Sequence, residues 1–427
     1  VDLLTTAICI IVVFALLETP LFAVIAAFSI AALLAAEPTL LSVQLVLIEM
    51  NRLASMPVLV ALPMFVLVGS LLTETGAPGR LMNFMSALVG WLPGGIGIAA
   101  LCSCAFFTAL TGASGVTIVA LGGILYPVLH KRGYPDRFSL GLLTTAGSRG
   151  LLFPPSLPVI LYGVVSQTDI GAIFKAALAP GILTILIVSV YAFWFRLRQS
   201  GGLSRPAPDP KHINAAFIEG IWEWPVLLIV VAGVYGGYVT IAEVAALVLV
   251  YAVVVYCFVT REVHFFRQLP DIVVESAVLS GAIIVILGVA LGLTGVLVDA
   301  RVPDRILSFL TSVTESRLLF LAGLNLFLLA VGCIMDIFSA IVIVVPIMVP
   351  IALTYGIDPI HLCVIFMVNL EIGYSTPPVG INLFIASMKF QKPLPLLYGA
   401  SLPYLVLLLA ALLLITYVPW FSLFLVR

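Results

Sequence analysis

Long apolar stretches separated by short polar breaks occupy most of this chain. Of its 427 residues 63% are apolar and only 9% are charged. A soluble domain is roughly a quarter charged, whereas apolar runs of about 18 or more residues form membrane-spanning helices. The sequence therefore predicts an all-α polytopic membrane protein. Because 19 Lys and Arg nearly balance 20 Asp and Glu, no basic excess is available for a phosphate backbone, and we expect no nucleic-acid partner.

Hydropathy along the chain predicts about ten transmembrane helices and two longer apolar segments. The crossings are expected near residues 3–17, 20–35, 56–73, 138–168, 176–195, 225–238, 240–260, 271–298, 358–388 and 401–424. No Lys or Arg precedes the first crossing, so we expect a retained span rather than a cleaved signal.

The two longer segments cover residues 94–130 and 318–353. Each is too long for one crossing, and each is interrupted near its middle, at 111–115 (TGASG) and at 333–339 (CIMDIFS). We interpret both as re-entrant helical hairpins. The alternative is that each segment is two complete spans joined by a tight turn.

The basic residues predict the orientation, since Lys and Arg near span ends stay on the cytoplasmic side. They cluster in the loops that follow the first hairpin and the fifth, seventh and ninth spans: Lys131, Arg132, Arg137; Arg196, Arg198, Arg205, Lys211; Arg261, Arg267; Lys389, Lys392. The loop 354–359 after the second hairpin has no Lys or Arg and is expected outside. The two hairpins should therefore enter from opposite faces. Arg301, Arg305 and Arg317 lie on the expected outer side and weaken the rule locally.

An internal repeat agrees with this opposite entry. At an offset of 223 the matching residues are Pro127 and Pro350, Gly133 and Gly356, Gly150 and Gly373, Pro154-Pro155 and Pro377-Pro378, and Pro180 and Pro403. Upstream the offset is 225, where 78–81 (PGRL) matches 303–306 (PDRI) in two amphipathic stretches. Five crossings in each half invert the second half relative to the first, and such inverted repeats are typical of secondary transporters.

A Pro-Pro pair interrupts one span in each half, within 144–156 and 369–380. Such a pair removes two backbone donors and disfavours helix before it, so nearby carbonyls lose their partners. In a bilayer these carbonyls need protein, water or a cation. Hydroxyls and freed carbonyls beside a hairpin tip suit Na⁺, whereas the helix N-termini beyond the breaks favour an anion. The alternative is a pair of proline kinks satisfied by Ser and Thr side chains.

The candidate ligands come from the hairpin tips and the breaks. For Na⁺ they are Thr111, Gly112, Ser114, Thr145, Gly147, Ser148, Cys333, Asp336, Ser339, Asn369, Gly373, Ser375 and Thr376. For the substrate they are Arg149, Pro154, Pro155, Ser156, Pro377, Pro378 and Gly380.

Three charged residues lie away from span ends, where each costs about 2.5–3.5 kcal/mol. Asp336 could bind Na⁺, cap the following half-helix or carry a proton. Arg149 and Glu371 lie in the two breaks. Arg149 could face a substrate carboxylate or pair with an acidic side chain.

Four tracts resemble the large membrane subunit of the tripartite ATP-independent periplasmic (TRAP) transporters, the DctM-like permeases. They are 110–115 (LTGASG), 147–158 (GSRGLLFPPSLP), 335–339 (MDIFS) and 369–383 (NLEIGYSTPPVGINL). The resemblance covers nearly the whole chain, and its paired Pro-Pro tracts are specific. One departure is Arg149, where the family more often has an uncharged residue.

The resemblance implies a multi-pass permease of the bacterial inner membrane that imports organic acids with Na⁺ as coupling ion, without other cofactors and without enzymatic activity. It implies two partners, a small four-helix membrane subunit and a periplasmic substrate-binding protein.

It also implies an elevator fold, in which a transport domain moves within a scaffold. The scaffold is expected at 1–92 and 212–316, each part ending in an interfacial arm (76–91 and 303–316). The transport domain is expected at 93–195 and 317–427, and a cytoplasmic linker at 196–211.

Competing classes fit the sequence less well. No Gly-x-x-x-x-Gly-Lys-Ser/Thr loop supports an ATP-driven pump, and the four histidines form no His-Glu-x-x-His metalloprotease motif. The main alternative is a carboxylate symporter, coupled to Na⁺ or H⁺, that works without a binding protein. A structural subunit with no transport path is a third possibility, and it predicts that no ion binds at the breaks.

Overall fold

A computed structural model describes residues 21–36, 48, 51, 56–199, 209–299 and 301–426, and all regular structure in them is helical. The predicted first crossing, 3–17, lies outside the described residues. The helices before the central loop are α1 Leu21–Ala36, α2 Ala61–Thr73 after a short 3₁₀ turn, α3 Ala77–Val89, α4 Gly95–Thr111, α5 Ser114–Lys131, α6 Asp136–Ala146, α7 Leu157–Ser166 and α8 Ile170–Gln199.

The helices after that loop are α9 Pro210–Glu219, α10 Trp224–Gly236, α11 Ile241–Val253, α12 Gln268–Asp299, α13 Val302–Val313, α14 Arg317–Ile334, α15 Ile337–Thr354, α16 Pro359–Gly373, α17 Ile381–Phe390, α18 Leu394–Tyr417 and α19 Trp420–Leu423. Within the described ranges seven helices are long and apolar enough to cross a bilayer, or nine if each sharply bent helix pair counts as one span. The predicted class, an all-helical multi-pass membrane protein, is confirmed.

The predicted crossings 138–168 and 358–388 are each built from two short helices. The first consists of α6 and α7 and the second of α16 and α17, with the Pro-Pro pair between them. Neither α7 nor α17 exceeds 10 residues, about 15 Å of helix. The local effect of the Pro-Pro pairs is therefore as predicted.

Several boundaries differ from the sequence prediction. Helix α8 begins at Ile170 rather than near 176, and α18 spans Leu394–Tyr417 rather than 401–424. Pro180 and Pro403 lie inside these two helices, as they do inside the predicted crossings. Helix α9 begins where the linker was expected to end, and no helix was predicted there.

The repeat appears in the backbone as well as in the sequence. Pro127 and Pro350 lie inside α5 and α15, the second helices of the two hairpins. Gly133 and Gly356, which follow those helices, have positive φ angles of 75° and 68°. The bonds Pro154-Pro155 and Pro377-Pro378 are both cis. Corresponding positions thus have corresponding conformations.

The hairpins pack both within and between the halves. The first hairpin, α4 and α5, contacts α6 in its own half and α17 in the other. The second, α14 and α15, contacts α16 in its own half and α7 in the other. Each hairpin is therefore held by both broken spans, and its tip reaches the break near the middle of a span. The hairpin helices α5, α14 and α15 are among the seven that are long enough to cross a bilayer, so length does not separate re-entrant hairpins from two complete spans. The approach of each tip to a break favours the re-entrant hairpins.

Helices α1, α2, α10, α11 and α12 form a second group, in which α2 packs against α11 and α12, α12 against α1, and α10 against α11. The amphipathic helices α3 and α13 lie against α4 and α15 respectively. They occupy the positions predicted for the two arms. The division into scaffold and transport domain stays a prediction, and α12 packs on α15 across its proposed boundary.

Two equivalent glycines allow the hairpins to approach the breaks. A Cβ at Gly150 would lie 2.1 Å from Ala105 O of α4, and one at Gly373 would lie 2.6 Å from Gly332 C of α14. Real Cβ atoms do not come this close to backbone. Both positions require glycine because the first helix of each hairpin passes directly over the break.

Candidate functional site

The first break begins where α6 ends at Ala146, and protein donors satisfy several of the carbonyls freed there. Gly147 O accepts a hydrogen bond from Thr108 Oγ1 of α4 at 2.7 Å. Thr145 O accepts from Arg149 Nε at 3.1 Å and from Ser148 Oγ at 3.4 Å. Thr145 Oγ1 itself donates back to Gly141 O at 2.8 Å. Side-chain donors of the break and of the first hairpin thus replace the missing helical donors.

The second break shows the same principle with different residues. Thr376 Oγ1 donates to Ile372 O at 2.8 Å, and the Cys333 thiol donates to Thr376 O at 3.1 Å. The backbone N–H of Asn382 donates to Tyr374 O at 3.0 Å. Ser and Thr side chains therefore satisfy part of each break, as the alternative reading of the Pro-Pro pairs predicted.

Arg149 and Glu371 join the two breaks. Both side chains are completely buried, and Arg149 Nη1 lies 3.2 Å from Glu371 Oε2. Arg149 Nη2 donates to Glu371 O at 3.1 Å and to Ser148 Oγ at 3.0 Å. Of the two alternatives for Arg149, the structure shows pairing with an acidic side chain. In this conformation the guanidinium does not face a substrate site.

The first hairpin tip meets the second break through Asn382. Gly112 ends α4 with a φ of 66°, and α5 begins two residues later at Ser114. Ser114 Oγ donates to Asn382 Oδ1 at 2.8 Å, and Asn382 Nδ2 donates to Thr144 O at 3.4 Å. One amide side chain therefore links a hairpin tip, the second break and the end of α6.

The second hairpin tip is organised by Asp336. Its Oδ1 accepts from Phe338 N and Ser339 N, each at 3.0 Å, and its Oδ2 accepts from the hydroxyl of Ser339. Asp336 is thus the N-cap of α15, which is one of the three roles considered for it. The same tip is tied to the second break, since Gly380 N donates to Cys333 O at 3.0 Å.

Besides the two carboxylate oxygens of Glu371, four oxygens of the hairpin tips and breaks are buried without a hydrogen-bond partner among the described residues. They belong to one tip residue and three residues of the breaks: Thr111 Oγ1, Ser156 Oγ, Asn369 Oδ1 and Ser375 Oγ. Their residues are at most 7% exposed. Buried polar atoms are rarely left unpaired, so each of these oxygens calls for a partner such as an ion or a water. All four belong to predicted ligand residues.

Equivalent residues of the two breaks differ in exposure. Pro154, Pro155 and Ser156 are buried, whereas Pro377, Pro378 and Val379 at the matching positions are exposed. Ser156 is 0% exposed and its counterpart Val379 is 37% exposed. An inverted repeat with identical halves would show no such difference. The conformation is therefore asymmetric about the repeat.

A cavity of about 610 Å³ lies beside the first hairpin tip. Its wall includes Ser70, Thr73 and Glu74 of the end of α2, and Glu275 of α12. Thr111, whose hydroxyl lacks a partner, lines the same cavity. The cavity therefore lies where the first tip, α2 and α12 meet.

Some residues of the site were missed by the sequence analysis. Thr108, Thr117 and Asn382 hold the first tip, and Asn382 was visible as an amide within an apolar helix. A second missed set is Asn325, Thr416 and His361, which form a chain of hydrogen bonds with the predicted ligand residue Asn369. Single polar residues in apolar spans were the available signal for all of them.

The first arm is attached to the second packing group by Arg80. Its guanidinium donates to Glu223 Oε1 at 2.6 Å and 2.9 Å and to Glu262 Oε1 at 3.0 Å. Burial alone lowers the pKa of Arg80, but hydrogen bonds and charge contacts with Glu223 and Glu262 outweigh this effect, so the pKa is raised. Arg80 therefore stays charged and holds α3 to the N-terminal end of α10.

The paired broken helices, the two hairpins and the apolar helices around them define a membrane permease built from an inverted repeat. The sequence model of the family described as "Tripartite ATP-independent periplasmic transporter, DctM component" matches residues 8–421. The chain belongs to this family, and it is a multi-pass protein of the bacterial inner membrane.

Curated relatives agree with this assignment. The chain is 36% identical over 377 residues to the isethionate TRAP transporter permease protein DctMQ of Oleidesulfovibrio alaskensis, an alignment of 88% of this chain and 59% of the relative. It is also 36% identical to the C4-dicarboxylate TRAP transporter large permease protein DctM of Pseudomonas aeruginosa, over 86% of this chain and 85% of that protein. The corresponding sialic acid permease SiaM of Vibrio cholerae is 30% identical, with 86% of each chain covered.

Among solved structures the fold is similar to that of the Alcanivorax borkumensis YdaH transporter. The TM-score is 0.61 at 16% sequence identity, and the match covers 88% of this chain and 87% of that one. At this identity the likeness concerns the fold alone.

Proposed function

We propose that this chain is the large permease subunit of a Na⁺-coupled, binding-protein-dependent transporter that imports organic acids by an elevator mechanism. The observation that carries the proposal is the set of four buried, unpartnered oxygens at the breaks and the first hairpin tip. They are hydroxyl and amide oxygens, the kind of ligand that a hard cation takes. Asp336 at the second tip adds a negative charge to the same region.

The substrate is proposed to be an organic acid because the N-termini of two helices lie at the breaks, where they can bind an anionic group. The N-termini of α7 and α17, each 10 residues long, carry partial positive charge that favours an anionic group. Ser156 lies at the N-cap of α7, and its hydroxyl lacks a partner among the described residues. Relatives whose names specify C4-dicarboxylates, isethionate and sialic acid support this substrate class.

The partners are proposed to be a small four-helix membrane subunit and a periplasmic substrate-binding protein. The family description, a tripartite periplasmic transporter, supports both. In such a system the binding protein selects the organic acid, and the permease receives it.

The conformation is proposed to face the cytoplasm. Gly69 lies four residues before the end of α2, about 6 Å along the helix, and a Cβ on it would be 2.7 Å from Thr111 Cα. The first tip is therefore close to the end of α2 that the basic loops predict to be cytoplasmic. The cavity beside this tip would then lead towards the cytoplasm, and the unequal exposure of Ser156 and Val379 supports such a one-sided state.

The energy available limits the coupling. One Na⁺ that crosses a potential of about 100 mV and a gradient of about tenfold releases about 2.3 and about 1.4 kcal/mol respectively. If two Na⁺ accompany a dianion, the net charge is zero and the potential contributes nothing. Electrogenic uptake of a dicarboxylate therefore requires at least three Na⁺.

Reconstituted uptake tests the proposal. The chain and the proposed small membrane subunit would be incorporated into proteoliposomes, with the proposed binding protein outside. Radiolabelled succinate, sialic acid and isethionate would be offered in NaCl or in choline chloride. We expect uptake of one of these acids only with inward Na⁺ and the binding protein. Uptake unchanged in choline and driven by a proton gradient would contradict Na⁺ coupling. Uptake without any soluble partner would favour the self-sufficient symporter.

A further inference from the structure

Arg149 places a permanent positive charge where the two broken spans meet. Its side chain is 0% exposed, and its nitrogens contact four oxygens. Nε lies 3.1 Å from Thr145 O, Nη2 lies 3.0 Å from Ser148 Oγ and 3.1 Å from Glu371 O, and Nη1 lies 3.2 Å from Glu371 Oε2. Two of these oxygens are carbonyls freed by the breaks, one from each half.

These four oxygens are the set that would otherwise suit a small cation. A carbonyl from each break, a hydroxyl and a carboxylate are hard ligands, and none of them is accessible to bulk solvent. Thr145 and Ser148 are among the residues from which the sequence predicted Na⁺ ligands. The guanidinium thus contacts oxygens of the chemical types that also bind metal ions.

The geometry differs from that of a purely structural ion pair. An arginine that only stabilises a carboxylate commonly donates two parallel hydrogen bonds to it. Here neither carboxylate oxygen of Glu371 accepts a hydrogen bond from any described residue, and Arg149 Nη1 makes only the 3.2 Å charge contact. Nε and Nη2 donate to the freed carbonyls instead. Arg149 is positioned among carbonyl oxygens as a bound cation would be.

We propose that the Arg149 guanidinium is a built-in cation, which neutralises Glu371 and takes the place of one Na⁺ at the junction of the two breaks. A chain with an uncharged residue at this position would leave the buried carboxylate to be neutralised either by a bound cation such as Na⁺ or by a proton. The proposal rests on the proposed function, because it concerns the same pair of breaks. Its consequence is that this permease binds one Na⁺ fewer than its Arg149→Gln variant.

This proposal is tested by substitutions that remove the positive charge of Arg149 but keep most of its polar contacts. The full-length chain, co-expressed with its small subunit, would carry Arg149→Gln, Arg149→Lys or the double substitution Arg149→Gln with Glu371→Gln. Thermal unfolding midpoints would be measured in equal concentrations of NaCl and choline chloride. Na⁺ that binds only the folded protein raises the midpoint. We expect the difference between the two salts to be larger for Arg149→Gln than for the wild type, by about 2 °C or more.

The controls separate charge from shape. Arg149→Lys and the double variant should respond to Na⁺ as the wild type does, since the first retains a cation and the second lacks the carboxylate. If Arg149→Gln is recovered only when it is purified in NaCl, the proposal is supported in the same way. The proposal is overturned if the difference between the unfolding midpoints in NaCl and in choline chloride is the same for Arg149→Gln as for the wild type. It is also overturned if Arg149→Gln cannot be recovered in either salt. Na⁺-independent uptake by the wild type would instead contradict the proposed function. The unfolding midpoints of Arg149→Gln in the two salts would still decide whether Arg149 takes the place of a Na⁺.

Discussion

Ser148 and Glu371 occupy equivalent positions of the two repeats, 223 residues apart, and they touch: Ser148 Oγ donates to Glu371 O at 3.2 Å. Equivalent residues of a symmetric pair make contact where the symmetry axis passes between them. The two breaks therefore meet at the pseudo-two-fold axis of the inverted repeat. In transporters of this architecture the substrate and ion sites lie near that axis, at the middle of the membrane.

The first prediction concerns Asp336 and separates its charge from its capping role. Asp336→Ala should abolish uptake, while the loss of the cap costs about 1 kcal/mol of stability. Asp358 caps α16 in the same way, since its Oδ1 accepts from Ile360 N at 2.9 Å. Asp358→Ala therefore has a similar cost and should retain uptake. Reconstituted uptake and thermal unfolding would be measured for both variants.

An Asp336→Ser variant completes this comparison, because serine is also a good N-cap but has no charge. We expect it to keep the stability of the wild type and to lose uptake. Full uptake in Asp336→Ser would show that Asp336 is a cap alone.

The second prediction uses the two arms. Arg80 is held by Glu223 and Glu262, whereas its repeat counterpart Arg305 is exposed and makes no ion pair within the described residues. Arg80→Ala leaves Glu223, whose side chain is 5% exposed, without its cation, which costs about 3 kcal/mol. Arg305→Ala should change stability by less than about 0.5 kcal/mol. Equal thermal unfolding midpoints for the two variants would refute this asymmetry between the arms.

The third prediction concerns the one-sided conformation. In a variant without native cysteines, Val379→Cys should react with a membrane-impermeant thiol reagent, and Ser156→Cys should react much more slowly. The reason is that Val379 is 37% exposed and the equivalent Ser156 is fully buried. Reaction rates of the purified complex, compared with those after denaturation, would measure this. Similar rates at both positions would argue against the asymmetric state.

The fourth prediction concerns motion. In an elevator both hairpin tips belong to one rigid unit, so spin labels at Ser114 and Ser339 should keep nearly the same separation in inward and outward states. The packing of α5 on α17 and of α15 on α7 ties both tips to the broken spans and supports this. A label pair at Val379 and Ile229 of α10 should shift by many ångströms. Pulsed electron spin resonance would measure both distances. A large change between the tips with a constant distance to α10 would favour a rocking bundle.

Much of the fold was predictable because its signals are local. The hairpin interruptions lie at Gly112 and Asp336 as predicted, because glycine permits a left-handed turn and aspartate caps a new helix. The exact ends of α8 and α18 were not predictable, because apolar character marks the part of a span inside the bilayer and not the residues where its helix begins and ends. The amphipathic α9 was missed because it was not apolar enough to be recognised as a span.

The sequence by itself determined that the chain crosses a membrane, where its spans break, and that its halves are repeats. Apolar length and proline chemistry act through neighbouring residues and need no tertiary context. Only the tertiary structure decided that Arg149 pairs with Glu371 and that Ser114 of the first tip donates a hydrogen bond to Asn382. It also decided which of the two breaks is exposed. These contacts join residues 222 and 268 positions apart. Their partners depend on how two inverted halves interlock, and no spacing along one helix encodes that arrangement.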